Sequence, residues 1–200
     1  PSVINLIKKN EKLDMPNIFE RLKEKNLRTI VYPVHEPWLD IGIPEDYFKV
    51  KNSRFFACGL SLVIHPKNPL VPTVHANWRY FELYSFNGTL KDQWFGGGLD
   101  LTPFYLNEED ATHFHKTCKS VCDKHSPSFY KKYKEQCDSY FWNHHRNESR
   151  GIGGLFFDYL RPNFDHKIED LYEFVSDVGN SFLEAYLPIV NKRKNQKFNS

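Results

Sequence analysis

The sequence predicts an α+β fold, in which an antiparallel sheet is covered by helices. Apolar and polar residues alternate with a period of two in segments between residues 60 and 102, which is typical of strands. From residue 107 onward, apolar residues recur at helical spacing. Because the strands come first and the helices follow, the pattern favours α+β over a fold in which strands and helices alternate.

Length and composition limit the classes of function. The 200 residues fit one domain spanning residues 1–200, and 40% hydrophobic with 26% charged residues is the balance of a globular chain. No apolar run approaches the roughly 18 residues that a membrane-spanning helix needs. The net charge is +2 and basic residues cluster only at Lys192, Arg193 and Lys194. We therefore predict neither a membrane span nor nucleic-acid binding.

The N-terminal region, residues 1–54, is rich in Lys and Asn. One amphipathic helix is predicted to begin near Asp14 and Pro16, and its apolar side is formed by Ile18, Phe19 and Leu22. Three prolines follow at positions 33, 37 and 44, and they predict an irregular path for the chain.

Three strands are predicted in the middle of the chain. The first runs from Leu60 to His65 and the second from Val74 to Leu83. The third lies around Gln93 to Phe95 and continues through three glycines, Gly96 to Gly98, toward Asp100. These glycines lack the spacing of phosphate-binding and dinucleotide-binding loops. They predict either a turn or bulge with positive φ, or a close approach of the backbone to a flat ligand.

Three helices are predicted in the C-terminal half. Asn107 caps the first, whose opening turn is acidic. The second follows Ser126-Pro127 and ends near His144-His145-Arg146, and the third spans Lys167 to Leu187 until Pro188 ends it.

The four cysteines include no C-x-x-C pair, so a structural zinc site is not expected. Three of them, Cys118, Cys122 and Cys137, fall at core-like positions of the predicted helices. We therefore predict reduced, structural thiols.

A polar row on the second strand carries the chemistry. Residues two apart in a strand stand about 6.5–7 Å from each other on one face, so His75, Asn77 and Arg79 form a row. Imidazole moves protons near neutral pH, and the planar guanidinium fork matches a carboxylate. A solvent-facing strand side is the plain alternative. However, Ser61 and His65 share a face of the first strand in the same way, and two such strands predict the floor of a pocket.

A metal site is an alternative use of the histidines. Four imidazoles that converge can hold a transition metal. The candidates are His65, His75, His115 and His145. The other interpretation is a set of separate hydrogen-bonded histidines around a polar pocket.

Five long segments combine His, Arg, Asp and Gly in unusual patterns. They are SLVIHPKNP (Ser61 to Pro69), HANWRYFE (His75 to Glu82), WFGGGLDLTPFY (Trp94 to Tyr105), EEDATHFH (Glu108 to His115) and HRNESRGIGGLFFD (His145 to Asp158). In this order they resemble the oxygen-dependent coproporphyrinogen III oxidase family, over roughly Phe55 to Ile189.

The resemblance implies a large antiparallel sheet flanked by helices on both faces, and a homodimer. The implied reaction is the oxidative decarboxylation of two propionate side chains of coproporphyrinogen III to vinyl groups, which gives protoporphyrinogen IX in haem synthesis. Molecular oxygen is the co-substrate, and carbon dioxide and hydrogen peroxide are released. No organic cofactor is implied.

The resemblance also implies roles for single residues. His75 is the proton donor, and the substrate contacts are Ser61, Asn77, Trp78 and Arg79. We infer that Asp100, as a second catalytic residue, accepts a hydrogen bond from a pyrrole N–H, because it directly follows the glycines. For bacterial members a divalent metal is ascribed to the positions of His65, His75, His115 and His145, and the reaction is also described without a metal.

The chain departs from the family in three places. Residues 1–50 match its glycine-rich N-terminal part poorly, and Tyr159 follows Asp158 where the family usually has two aspartates. The chain also ends before the family's arginine- and glycine-rich C-terminal segment. We therefore expect a single domain that lacks its C-terminal segment.

Two other functions stay open from the sequence. A tetrapyrrole-binding homologue without activity would fit the missing segment, because a fold can outlive its function. A metal-dependent oxygenase would use the four histidines to activate oxygen. The expected location is the cytoplasm, or the mitochondrial intermembrane space or a plastid if a leader has been removed.

Overall fold

The computed structural model describes residues 21, 22, 24, 25 and 53–198. The chain divides into two compact units, Pro1–Glu36 and Pro37–Ser200, and the sheet and helices below belong to the second. In the first unit Leu22 is helical and buried, as expected for the predicted helix. The other residues predicted for that helix, and the prolines at 33, 37 and 44, lie outside the described residues.

Four strands form one antiparallel sheet, in the order β1-β2-β3-β6. Their bounds are Arg54–Ile64 for β1, Thr73–Tyr84 for β2, Leu90–Thr102 for β3 and Gly153–Leu160 for β6. The strands β4 (Trp142–Asn143) and β5 (Glu148–Ser149) form a separate short hairpin. A tight turn joins β2 to β3, and Gly88 in that turn has a φ of 84°, a conformation that glycine adopts without steric cost.

Four helices follow the first three strands. They are α1 (Glu108–His125), α2 (Phe129–Tyr140), α3 (Ile168–Asn180) and α4 (Phe182–Arg193). The cap predicted for α1 is confirmed, because the Asn107 side chain accepts a hydrogen bond from the Asp110 backbone N–H at 3.1 Å.

The core lies between these helices and one face of the sheet. Along β2, Val74 and Ala76 are buried on this face, and Leu99 and Leu101 of β3 are paired with them. Each of α1 to α4 contributes side chains to this single core, including Phe114, Tyr133, Phe174 and Ile189. The predicted α+β class with an antiparallel sheet is confirmed, and the other face of the sheet is the one that carries the polar row.

Two predicted helix boundaries are wrong. The helix α2 ends at Tyr140 instead of near residues 144–146, because the chain turns into the β4–β5 hairpin, where Asn147 has a φ of 53°. The predicted last helix is two helices that meet at Ser181. Pro188 lies inside α4 on its exposed side and does not end it.

The cysteines behave as predicted. All four are free, and three of them are buried in α1 and α2: Cys118, Cys122 and Cys137. Burial raises the pKa of the Cys122 thiol and that of the Cys137 thiol to about 12. Both thiols are therefore protonated at neutral pH and unreactive.

None of the helices in the described part of the chain combines the length and the apolar composition that crossing a bilayer demands.

Candidate functional site

The face of the sheet opposite the core carries the predicted polar row. His75, Asn77 and Arg79 alternate along β2 with the buried residues of the core. Ser61 of β1 is the register partner of Asn77, and Asp100 of β3 is the partner of His75. The structure therefore brings together five of the residues that the sequence indicates.

Asp100 links the row to an arginine from outside the sheet. Both carboxylate oxygens of Asp100 accept hydrogen bonds from Arg150 Nη2 at 2.8 Å. His75 Nδ1 lies 3.4 Å from Asp100 Oδ2, and it is buried without a hydrogen-bond partner among the described residues. Only 6% of the Asp100 side chain is exposed. A carboxylate this buried needs a cationic partner, and Arg150 supplies it.

Arg150 is held in place by its surroundings. Its guanidinium carbon lies 3.5 Å from the centre of the Phe141 ring, and its backbone N–H donates to Phe141 O at 3.2 Å. The next residues join the sheet, because Ile152 N–H donates to Leu101 O at 3.0 Å. Sequence reasoning missed Arg150, since a single arginine in a loop has no periodicity. The signal that could have found it is the need of a buried Asp100 for a cation.

Arg79 is held between two side chains. Its Nη1 donates to Asn77 Oδ1 at 3.0 Å, and its Nη2 lies 3.1 Å from Asp158 Oδ2 on β6. Sequence reasoning assigned no role to Asp158, because its distance from Arg79 depends on the pairing of strands far apart in the chain.

Aromatic side chains continue the polar face beyond Arg79. The rings of Phe81 and Trp94 are 4.1 Å apart, and those of Trp94 and Tyr159 are 5.4 Å apart. The guanidinium carbon of Arg161 lies 4.8 Å from both the Trp94 and the Tyr159 ring centres. Sequence reasoning also missed this group. A flat apolar ligand would find aromatic rings here beside the Arg161 guanidinium, whose Nε and Nη2 donate to Asp92 at 2.8 Å and 2.7 Å.

Trp78 does not join the site. Side chains alternate along a strand, so Trp78 points to the helical face, where its ring lies 6.3 Å from that of Phe182 on α4. Its Nε1 is buried, with no hydrogen-bond partner among the described residues. The contact between Trp78 and a substrate stays a prediction, and its side chain lies on the face of the sheet opposite the polar row.

The triple glycine lies inside β3 and has no positive φ, so the predicted turn is wrong. All three glycines are buried, and their neighbours leave no room for a side chain. A Cβ at Gly98 would lie 2.5 Å from Leu155 O, and one at Gly96 would lie 2.5 Å from Arg79 Nε. At Gly98 the close backbone oxygen excludes a side chain, whereas at Gly96 the near atoms belong to the Arg79 and Asp158 side chains, which a Cβ would displace.

The four histidines do not gather into one site. His65 Nδ1 lies 3.5 Å from Thr73 Oγ1, and His145 is exposed in the turn of the β4–β5 hairpin. His115 Nε2 lies 3.0 Å from Ile152 O and its Nδ1 lies 3.1 Å from Tyr130 Oη. Among the described residues no three His, Cys, Asp or Glu side chains are placed to hold an ion. The predicted set of His65, His75, His115 and His145 is therefore not a metal group in this structure.

His115 predicts a pH dependence of stability. Burial lowers the pKa of His115 below the ordinary value of 6.5, although the hydrogen bond to Ile152 O acts in the opposite direction. The unfolded chain therefore takes up this proton first as the pH falls, so stability is full above pH 6.5 and is lost below it. We expect His115→Gln to lose less unfolding free energy than the wild type between pH 7.5 and 5, measured by urea denaturation. His144→Gln, at an exposed histidine, is the control, and an equal pH dependence in both variants would contradict the prediction.

The fold and the polar face of the sheet together define a class of protein. The chain is an α+β protein with a candidate site for a flat, carboxylate-bearing ligand on one face of an antiparallel sheet. Residues 18–200 match the family model described as Coproporphyrinogen III oxidase. The chain belongs to the coproporphyrinogen III oxidase family.

Relatives named oxygen-dependent coproporphyrinogen-III oxidase come from distant organisms. The chain is 53% identical over 153 residues to the protein of Francisella tularensis subsp. holarctica, which is 75% of this chain and 47% of the relative. It is 53% identical over 145 residues to the Drosophila melanogaster protein, covering 72% of this chain and 36% of the relative. The chain thus spans less than half the length of these relatives. The family match begins at residue 18, well before Phe55, where the motif resemblance begins.

Proposed function

We propose that this protein acts as an oxygen-dependent coproporphyrinogen III oxidase. The observation that carries the proposal is the shared sheet face, on which His75, Asp100 and Arg150 stand beside the Arg79 guanidinium. The names of the relatives and the family match support the same activity.

The proposed reaction balances with oxygen as the only oxidant. Each propionate loses its carboxylate as carbon dioxide, and its β-carbon loses one hydrogen with two electrons, which leaves a vinyl group. One molecule of oxygen takes up those two electrons, that hydrogen and one further proton to become hydrogen peroxide. The protein must therefore hold the propionate, supply a proton and shield the tetrapyrrole.

Different residues of the site carry out these tasks. Arg79 binds the carboxylate of the reacting propionate through its planar fork. His75 delivers the proton, and the Asp100 carboxylate lies 3.4 Å from its Nδ1. Asn77 and Ser61 contact the substrate beside Arg79. The role of Asp100 as an acceptor from a pyrrole N–H stays a prediction, since Arg150 already donates to both of its oxygens.

Arg79→Lys is expected to raise the KM for coproporphyrinogen III by about tenfold with a smaller change in kcat. Lysine keeps the charge but loses the fork that matches a carboxylate. Steady-state kinetics check the prediction, with Arg146→Lys as the matched control, because Arg146 is exposed and pairs with Glu148 in the hairpin. An unchanged KM in Arg79→Lys would remove Arg79 from substrate binding.

The activity itself is tested by anaerobic mixing of the purified protein with coproporphyrinogen III, followed by addition of oxygen. We expect protoporphyrinogen IX and hydrogen peroxide to form only after oxygen is added. Binding without any product would favour the tetrapyrrole-binding homologue without activity.

We propose that no organic cofactor takes part in the reaction. Full activity of protein that is purified and assayed with a chelator would argue against the metal-dependent alternative.

We also propose a homodimer. Apolar side chains along α4 support it, because Leu183 is 64% exposed and Leu187 is 46% exposed beside Ile64 of β1. Apolar surface of this kind often marks a protein contact. Sedimentation equilibrium of the wild type and of Leu183→Glu tests this proposal. The expected result is a dimer for the wild type and weaker association for Leu183→Glu.

We also propose a cytoplasmic location, which cell fractionation would test.

A further inference from the structure

The strand β6 contains a β-bulge opposite Gly96. Gly97 pairs with Phe157, and the next pair joins Phe95 to Leu160, so β6 has one residue more than β3 over this stretch. Phe157 and Leu160 both remain in the core. The extra residue is therefore taken up on the polar face. Bulges re-aim side chains and are frequent beside functional sites.

The two residues of the bulge are Asp158 and Tyr159. Tyr159 has a φ of 49°, in the left-handed region that residues with a side chain seldom adopt. Its backbone N–H donates to Asp158 Oδ1 at 2.9 Å, which fixes one carboxylate oxygen. The other oxygen, Oδ2, lies 3.1 Å from Arg79 Nη2. The backbone of the bulge thus sets the direction of Asp158.

Gly96 makes the contact between Arg79 and Asp158 sterically allowed. It lies in β3 between the two strands that carry them, and it is the register partner of Arg79. A Cβ at this position would lie 2.5 Å from Arg79 Nε and 2.8 Å from Asp158 Oδ1. The ion pair therefore crosses β3 at a position where the absence of a side chain leaves space for both groups.

We propose that Asp158 is a positioning residue for Arg79. It holds the guanidinium from one side while Asn77 accepts a hydrogen bond from the other, so the fork is already oriented when a substrate carboxylate arrives. This inference rests on the proposed function, in which Arg79 binds a propionate.

A purely structural role for Asp158 would predict a loss of stability when its carboxylate is removed. The Arg79 and Asp158 side chains are 40% and 33% exposed, and ion pairs with this exposure add little to stability. Removing the carboxylate should therefore leave the protein folded. The expected changes are a more mobile Arg79 side chain and a weaker affinity for the substrate carboxylate that Arg79 binds.

The first experiment needs no substrate. The side-chain N–H signals of Arg79 are recorded by NMR in the purified wild-type chain, in Asp158→Asn and in Asp123→Asn. Asp123 is the matched control, because it forms a surface ion pair with Lys119 on α1. We expect faster rotation of the Arg79 guanidinium in Asp158→Asn alone, with the rest of the spectrum unchanged. An unchanged Arg79 signal in Asp158→Asn would overturn the proposal.

The second experiment measures kinetics with coproporphyrinogen III. Asp158→Asn should raise KM about fivefold and change kcat less than about twofold, since an orienting contact contributes to binding before and during reaction. Asp158→Glu, which keeps the charge, should recover part of the loss. In the Arg79→Lys background, Asp158→Asn should add little, because it acts through Arg79.

The remaining outcomes separate this inference from the proposed function. A lower KM in Asp158→Asn would mean that Asp158 competes with substrate, and an unchanged KM with a loosened Arg79 would mean that orientation is irrelevant. Either result overturns the proposal. If the wild type turns over no coproporphyrinogen III, the proposed function fails, while the NMR comparison still decides whether Asp158 holds Arg79.

Discussion

Replacing His75 by Ala is expected to lower kcat by about 10²- to 10³-fold, with KM changed much less. In the proposed reaction His75 supplies the proton that the reduction of oxygen consumes, and positioned proton transfer contributes rate factors of this size. The arrangement favours this role, because His75 Nδ1 is buried 3.4 Å from Asp100 Oδ2 and makes no hydrogen bond with the described residues. Steady-state and single-turnover kinetics with coproporphyrinogen III measure the effect.

The control for His75→Ala is His144→Ala, at an exposed histidine of the hairpin turn. It should leave both parameters unchanged. If His75→Ala instead raised KM strongly and left kcat near the wild-type value, His75 would be a binding residue, and proton transfer would need another donor.

Asp100→Asn is expected to lower the unfolding free energy by about 2–3 kcal/mol and to abolish most activity. The substitution keeps the shape of the side chain but leaves Arg150 without its counter-charge in a mostly buried place. Arg150 is 31% exposed, so the loss lies at the lower end of the range for buried pairs. Urea denaturation at neutral pH measures the free energy, and the kinetic assay measures activity.

A double variant separates the structural part of this effect from the catalytic part. Asp100→Asn combined with Arg150→Met removes both charges, and it should regain much of the stability without regaining activity. If the double variant were as unstable as Asp100→Asn, the ion pair would not be the reason for the loss. If it recovered activity with stability, Asp100 would have no part in the reaction.

The sequence predicted the parts of the site that depend on local periodicity. A period of two along β2 was enough to place His75, Asn77 and Arg79 on one face and Val74 on the other. The same alternation placed Ser61 on the polar side of β1, and the register of β1 with β2 then puts Ser61 opposite Asn77. Local pattern fixes which side of a strand a residue occupies, so these predictions are confirmed.

The parts that were missed depend on contacts between distant segments. Arg150 is separated from Asp100 by 50 residues, and Asp158 is separated from Arg79 by 79 residues. Which loop arginine meets which carboxylate is decided by the pairing of β3 with β6, and the bulge that aims Asp158 has no periodic pattern. The end of α2 was missed for a related reason, because Tyr140 stacks on Phe156 of β6 where the chain leaves the helix.

The order of the strands has a consequence for the newly made chain. The partner of β3 on its far side is β6, which is synthesised only after α1 and α2. Until then β3 presents an unpaired edge, and the apolar face of the β1–β3 meander has no α3 or α4 to cover it. Unpaired edges and uncovered apolar faces are what makes partly folded chains aggregate. Slow elongation between residues 102 and 153 would prolong this exposure, and the yield of active protein should therefore depend on the speed of translation through α1 and α2.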